Sequence, residues 1–215
     1  EIYRDPKEKI SIFEIDGRKK ILFCHNLCLI AKLFLNSKTL YYDVEPFIFY
    51  VLFDFSKGDF KFIGYFSKEK LNGTGYNLSC IMTLPIHQRR GFGTFLIDFS
   101  YLLSRREFKL GTPEKPLSHL GLLSYRNYWK DSIIKVIHQL MSDKNIANLD
   151  NWKLSVDDLA NLTGMCHDDV VVGIEQLNSL VCNPSSISNN KTEYGFIFNK
   201  KLINERFFVL QKKKS

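Results

Sequence analysis

The chain contains no run of about 18 apolar residues, so no segment reads as a membrane span. Its cysteines number five, an odd count without framework spacing, which argues against a disulfide scaffold and for a reducing compartment. No internal repeat and no low-complexity segment is present. The opening residues Glu1-Ile2-Tyr3-Arg4-Asp5-Pro6 lack the marks of a signal peptide and read as the interior of a longer protein. Two standard phosphate motifs are also missing. Gly91-Phe92-Gly93 is not completed by a third glycine, since Leu96 stands in its place, and no Gly-Lys-Ser/Thr of a P-loop occurs.

What is present is a composition able to build a core. At 215 residues, 45% hydrophobic and 14% aromatic, the chain makes one large domain or two small ones. The net charge of +7 favours an anionic partner, either nucleic acid or a polyanionic cofactor. Part of that charge is the Lys212-Lys213-Lys214 tail, which reads as a solvated end.

Periodicity and punctuation give a coarse map. Asp16-Gly17 between Ile10–Ile15 and Lys20–Phe23 predicts a hairpin. Leu27–Leu35 reads as a helix, Phe47–Phe53 and Phe60–Phe66 as strands parted by the Ser56–Asp59 turn, and Tyr76–Leu84 as one apolar strand ended by Pro85. A helix from Gly91 to about Arg106 follows, with Phe95, Leu96, Phe99, Leu102 and Leu103 inward. Gly111–Pro116 is a loop, and a helix from near Leu117 restarts after Tyr128. Beyond residue 150 the composition changes. Ser155-Val156-Asp157-Asp158 is a capped helix start, Asp168–Leu180 a second helix, Asn183–Lys191 a loop and Tyr194–Phe198 a strand. That order resembles a winged helix. The expected organisation is therefore α+β, a mixed-sheet core over residues 1–150 and a winged-helix-like subdomain over 151–215.

The most informative segment is Gln88-Arg89-Arg90-Gly91-Phe92-Gly93-Thr94, which follows a strand and opens a helix. A helix start presents unpaired N–H groups and a positive dipole end, and glycines let a diphosphate approach the backbone. A Gly-x-Gly alone more often marks only a tight turn. With the preceding Gln and Arg it resembles the pyrophosphate loop of the GNAT acetyltransferases.

Longer words point to one family. Asn26–Leu35, Lys38–Phe47, Gly64–Lys70 and Gly111–Ser118, the last continuing into Leu120–Arg126, resemble the MYST histone acetyltransferases. With the phosphate loop they span residues 1 to about 130 in the family's order, while 150–215 resemble it in pattern only. Asn77–Pro85 and Ile97–Ser104 look closest to the branch directed at histone H3, which includes the MOZ and MORF enzymes.

The resemblance implies a GNAT-like core that moves an acetyl group from acetyl-CoA to histone-tail lysines. A lysine amine with a pKa of about 10.4 must lose a proton before it attacks, and a partly buried carboxylate can take it. The family's base is the Glu of its Pro-Glu-Lys/Arg-Pro loop, here Glu114; an isolated loop Glu is ordinarily a solvated charge. The family's active-site cysteine falls on Cys80, either as an acyl carrier or lining a pocket in which the amine attacks acetyl-CoA directly, the reading preferred here. Taken alone it would be a small buried hydrophobe. Cofactor contacts fall on Ile81, Met82, Thr83, Gln88, Arg89, Arg90, Gly91, Phe92, Gly93, Thr94 and Ser118, and an autoacetylated lysine on Lys38. The same resemblance implies a nuclear protein working with chromatin-complex scaffold subunits on the H3 tail, with H4 or a non-histone substrate, a small-amine acetyltransferase, or a non-catalytic scaffold as the alternatives.

The chain departs from the family in several places. The family's Cys-Cys-His-Cys zinc finger, expected just upstream of Glu1, is outside this sequence. Cys24-His25-x-x-Cys28 lacks a second ligand pair, so no metal is expected within the chain. His119 stands where Asp is frequent, His87 where an aromatic is common, and Asn127 replaces a small residue. The presumed recognition helix, Asp168–Leu180, carries Asp168, Asp169 and Glu175 without Lys or Arg, so strong direct DNA binding is not expected, and the subdomain is read as a packing module flanking the substrate groove.

Overall fold

The computed structural model describes residues 1–34, 43–71, 73, 75–142, 154–178, 180–182 and 194–212. Two compact units are formed. The first is Glu1–Ser104 with Gly111–Pro116, the second Arg105–Leu110 with Leu117–Ser215. Lys38 and the loop at 183–191 lie outside the described residues.

The first unit is organised by a sheet in the order β1 (Tyr3–Asp5), β2 (Ile10–Asp16), β3 (Phe47–Asp54), β4 (Lys61–Glu69), β6 (Cys80–Thr83), every neighbouring pair antiparallel. The mixed sheet expected from the sequence is corrected on this point. The parallel pairing belongs to a separate two-stranded sheet, β5 (Tyr76–Leu78) with β7 (Thr112–Pro113).

Both faces of the large sheet are covered, which is why β3 reads as an unbroken apolar run. On one face α1 (Ile21–Lys32) lays Cys24, Leu27, Cys28 and Ala31 against Phe49, Val51, Tyr65 and Met82. On the other, α2 (Phe92–Arg106) lays Leu96 and Phe99 against Tyr50, Leu52, Phe66 and Leu78. Neighbours in sequence thus divide between the faces, Phe49 and Val51 one way, Tyr50 and Leu52 the other. Tyr50 and Phe66 stack at 4.7 Å across the ladder. A register shift between Leu52 and Phe53 gives β4 an extra residue there, and Ile63 joins the α2-side core.

The Asp16-Gly17 hairpin is not formed. Gly17 is absent from the positions of positive φ that a two-residue hairpin turn requires. Its glycine serves a close approach instead, because a Cβ would overlap the Val44 carbonyl oxygen. The Asp16 carbonyl accepts from Lys19 and Lys20 at 3.1 and 3.0 Å, and the chain coils directly into α1, so Ile21–Phe23 open a helix rather than a strand.

In the second unit α3 (His119–Ser142) runs without the expected restart at Tyr128. Tyr125, Tyr128, Trp129, Ile133, Ile134 and Ile137 hold one buried stripe across that point, and no Pro or Gly interrupts it. Ser155 caps α4 (Val156–Thr163) through a reciprocal box with Asp158, and Gly164 ends it at φ 75°. Next come α5 (His167–Glu175) and the antiparallel pair β8 (Leu180–Cys182) and β9 (Tyr194–Phe196). Then α6 (Lys200–Lys212), not anticipated from the sequence, stacks Phe207 on His138 of α3 at 3.7 Å.

Gly64 is the position at which the sheet that carries β6 admits no side chain, because a Cβ would overlap the Met82 carbonyl oxygen and stand 2.9 Å from Thr83 Cα. Gly64→Ala is therefore expected to cost about 1–3 kcal/mol, the scale of an overpacked core. Urea unfolding should show a lower midpoint; an unchanged midpoint would contradict this packing.

Candidate active site

The site begins where β5 and β6 part. Leu78 and Cys80 are separated by Ser79 alone, yet they belong to different sheets. The Ser79 N–H donates to Ser67 O of β4 at 2.7 Å, while Leu78 O accepts from the Glu114 N–H at 2.8 Å. Glu114 follows β7 directly and is half-buried. Two residues far apart in sequence, Cys80 and Glu114, are thereby tied to the same short piece of backbone.

Cys80 is 4% exposed and pairs with Ser67 across the ladder. The Tyr65 hydroxyl hydrogen-bonds both the Cys80 and the Cys28 thiols. Burial, reinforced by these sulfurs, pushes Tyr65 far above the ordinary phenol range. Burial also pushes Cys28 up to about 11, with Cys80 adding to the shift and the Tyr65 bond opposing it. Cys24 is pushed up to about 11, again first by burial and then by Cys28. Ser67 Oγ is buried beside Cys80 without a hydrogen-bond partner. Tyr65 and Ser67 were not singled out from the sequence; both sit inside the Gly64–Lys70 word that carries the family resemblance, and their proximity to Cys80 exists only through strand pairing.

The strand edge and the loop come next. β6 is the terminal strand of its sheet among the described residues, so backbone groups along its outer edge have no ladder partner. Ile81 and Thr83 are half-buried on it, whereas the Met82 side chain belongs to the α1-side core, leaving only its backbone to offer a ligand. After a 3-10 turn at Pro85–His87, Gln88 Nε2 donates to Thr83 O at 3.2 Å. Arg89 and Gly91 take left-handed conformations, φ 61° and 84°. Such alternation turns successive N–H groups toward one point, a common anion-binding nest. Phe95 N donates to Gly91 O at 2.9 Å as α2 starts. A glycine in front of the helix brings no side chain to occupy the first-turn N–H groups.

The space ahead of these glycines is open. A Cβ on Gly91 would meet nothing within 4 Å, and one on Gly93 only Thr83 Oγ1 at 3.8 Å. With Gln88, Arg89, Arg90 and Thr94 exposed around it, this cradle fits a diphosphate, which a Cβ would partly displace. Arg90 lies 5.1 Å over the Phe92 ring, and its Nη1 approaches His87 Nδ1 at 3.3 Å. Ser56 holds the Asp54 carboxyl below the usual range by side-chain and backbone hydrogen bonds, with Arg90 and His87 adding smaller attractions.

Two further residues were named from the sequence. Ser118 is exposed in the second unit, directly before α3, where its Oγ accepts from Gly121 N at 3.1 Å and its carbonyl from Leu122 N at 2.8 Å. Lys38 lies outside the described residues. Cys24 and Cys28 face the core of the first unit, and among the described residues no group of three or more His, Cys, Asp or Glu is placed to hold a metal. No described helix is long and apolar enough to cross a membrane.

The first unit thus holds a nest at a helix start beside a strand edge, with Cys80 at the other end of that strand and Glu114 tied by its backbone to Leu78. Residues 1–215 match the model of the MOZ/SAS family, and the chain belongs to that family. It is 52% identical over 211 residues to the histone acetyltransferase SAS3 of Saccharomyces cerevisiae, covering 92% of this chain and 25% of SAS3. It is 53% identical over 184 residues to the histone acetyltransferase mst2 of Schizosaccharomyces pombe, covering 86% of this chain and 42% of mst2. It is also 52% identical over 180 residues to the histone acetyltransferase KAT6A of Homo sapiens, covering 84% of this chain and 8% of KAT6A. The chain thus spans less than half the length of each of these relatives.

Two outcomes are expected of this geometry. Gly93→Ala should leave the thermal midpoint unchanged or slightly higher, as a Gly→Ala change in a helix does, and should weaken coenzyme A binding about tenfold in calorimetry. Undiminished affinity would remove Gly93 from the cradle. Thiols near 11 are ionised at about one part in a thousand at pH 8, so iodoacetamide should label half-exposed Cys166 well before Cys24 and Cys28. Mass spectrometry of the alkylated chain reads this directly, and early labelling of Cys28 would contradict the packing of α1.

Proposed function

We propose that the chain is the catalytic part of a histone lysine N-acetyltransferase that uses acetyl-CoA and acts on the H3 tail. The observation that carries the reading is the Glu114 N–H bond to Leu78 O, which holds a half-buried carboxylate beside the strand that leads through Cys80 to the phosphate cradle. The family and the names of the relatives support the activity; the choice of H3 rests on the resemblance of segments 77–85 and 97–104 to the H3-directed branch. In the same reading the first unit has a GNAT-like core and the end of the chain a winged-helix-like one, residues 1–150 bind the cofactor and 151–215 form the C-terminal subdomain. The protein works in the nucleus with chromatin scaffold subunits, and Lys38 is autoacetylated.

Acetyl-CoA, when bound, supplies a thioester whose acetyl carbon is open to attack. Gln88–Thr94 hold its diphosphate through first-turn N–H groups and the two guanidinium ions. The outer edge of β6, from Ile81 to Thr83, takes the pantetheine arm, and a backbone N–H there holds the carbonyl oxygen as it gains charge. Ser118 contributes a further cofactor contact. Glu114 accepts the proton of the substrate ammonium, directly or through one water, and frees the lone pair for attack. At 4% exposure the Cys80 thiol lines the pocket better than it offers itself to an acyl group, so the amine attacks directly; the C–S bond breaks as the N–C bond forms, and the nitrogen's second proton passes through solvent to the departing coenzyme thiolate.

Glu114→Gln is expected to keep acetyl-CoA affinity while transfer to an H3 tail peptide falls by about 10²–10⁴. Cys80→Ala should lose far less. Full activity of the Glu114 variant would overturn the base, and transfer to an H4 peptide in preference to H3 would overturn the substrate. Failure to bind acetyl-CoA would favour a non-catalytic scaffold.

A further inference from the structure

The His87–Arg90 contact, which the acetyl-transfer scheme does not use, constrains protonation by its chemistry alone. A guanidinium has five N–H donors and no acceptor. For Arg90 Nη1 to stand 3.3 Å from His87 Nδ1, that nitrogen must carry a lone pair, so the proton of the neutral ring is on Nε2. A protonated His87 would set two cations against each other and break the contact. The remaining neighbours fix the rest of the arrangement. Phe92 lies under the Arg90 guanidinium at 5.1 Å and meets the His87 ring edge-on at 6.2 Å, and Asp54 at the end of β3 is a carboxylate within electrostatic reach of both side chains.

We propose that coenzyme A binding moves Arg90 from His87 to the diphosphate and that His87 takes up a proton as it is released. His87 is thus a positioning residue that makes affinity for the cofactor proton-linked. The inference rests on the reading of Gln88–Thr94 as the diphosphate cradle. Arg90 has two competing acceptors, a neutral imidazole nitrogen and an anionic phosphate oxygen. The charge-assisted bond is roughly twice as strong, so the ligand wins. His87 then loses a cationic neighbour and gains an anionic one, and each change favours its protonated form. The proton comes from the solvent, and no covalent bond changes. The sign follows: the bound state holds more protons than the unbound state, so affinity rises as pH falls.

The test is calorimetry of the 215-residue chain with coenzyme A at pH 6, 7 and 8, each in buffers of different ionisation enthalpy. His87→Phe and His87→Gln are measured beside it; Gln keeps an acceptor for Arg90 but cannot be protonated, and thermal midpoints confirm that both variants fold. The ligand's own phosphates titrate identically in all three proteins, so the difference isolates His87. Wild type is expected to take up more protons than either variant, by about a third of a proton averaged over this range. It should correspondingly gain about fivefold more affinity from pH 8 to pH 6 than they do. Equal proton uptake and parallel pH profiles in the three proteins would overturn the inference while leaving the cradle in place. No binding of coenzyme A by wild type at any pH would overturn the cradle itself, and the inference with it.

Discussion

The backbone at Ser79 cannot serve two sheets at once, and the rest of the first unit follows from how it divides. On the N-terminal side Leu78 gives its carbonyl to Glu114; on the C-terminal side Ser79 gives its amide to Ser67. β5 is drawn toward β7 and β6 toward β4. One outcome is a strand, β6, that ends its sheet among the described residues, the kind of edge to which an extended ligand arm can add itself. The other is a loop carboxylate anchored by main chain rather than left to solvent. The packing beneath is arranged to hold that division. Leu78 is buried under α2, Met82 under α1, and Gly64 lets β4 close on β6 where any side chain would push them apart.

The two ends of β6 differ in kind. At Cys80 the surroundings are dry, with Tyr65, Cys28 and Ser67 buried around a thiol. At Thr83 the chain emerges into the exposed loop of Gln88, Arg89 and Arg90. The proposed cofactor, with an anionic head and an uncharged reactive tail, matches this gradient: charge is best kept at a wet helix start and an uncharged thioester tolerates the dry end. The left-handed turns at Arg89 and Gly91 accomplish the change of direction. At Gly91 a glycine carries that conformation without strain; at Arg89 a bulky residue holds it, a cost accepted next to a ligand site more readily than elsewhere.

Much of this was legible in the sequence where a single physical rule dominates. The apolar run at Phe47–Phe53, the inward face of α2, the Ser155 cap and the glycine loop before Phe92 each follow from local periodicity or local hydrogen bonding. Features set by distant residues were not legible. Asp16-Gly17 has the letters of a hairpin, but Val44 and Phe47 decide its geometry from another part of the chain. Tyr76–Leu84 reads as one strand because its break at Ser79 depends on the positions of Ser67 and Glu114. Helix α6 is amphipathic only weakly and is held by α3, so its pattern alone did not announce it. For the site, Cys80, Glu114 and the loop were reachable through family words, whereas Tyr65, Ser67 and the His87–Arg90 contact required the fold.

In the proposed function the division at Ser79 sets Glu114, the outer edge of β6 and the Gln88–Thr94 loop to act on one bound cofactor. A crystal structure of the chain with an H3 peptide whose lysine nitrogen is joined covalently to coenzyme A would decide this. The diphosphate is expected on Gly91–Thr94 and the joined nitrogen within hydrogen-bond reach of Glu114, about 2.6–3.2 Å or one water away. A nitrogen seated against a different carboxylate, or a diphosphate away from the start of α2, would contradict it.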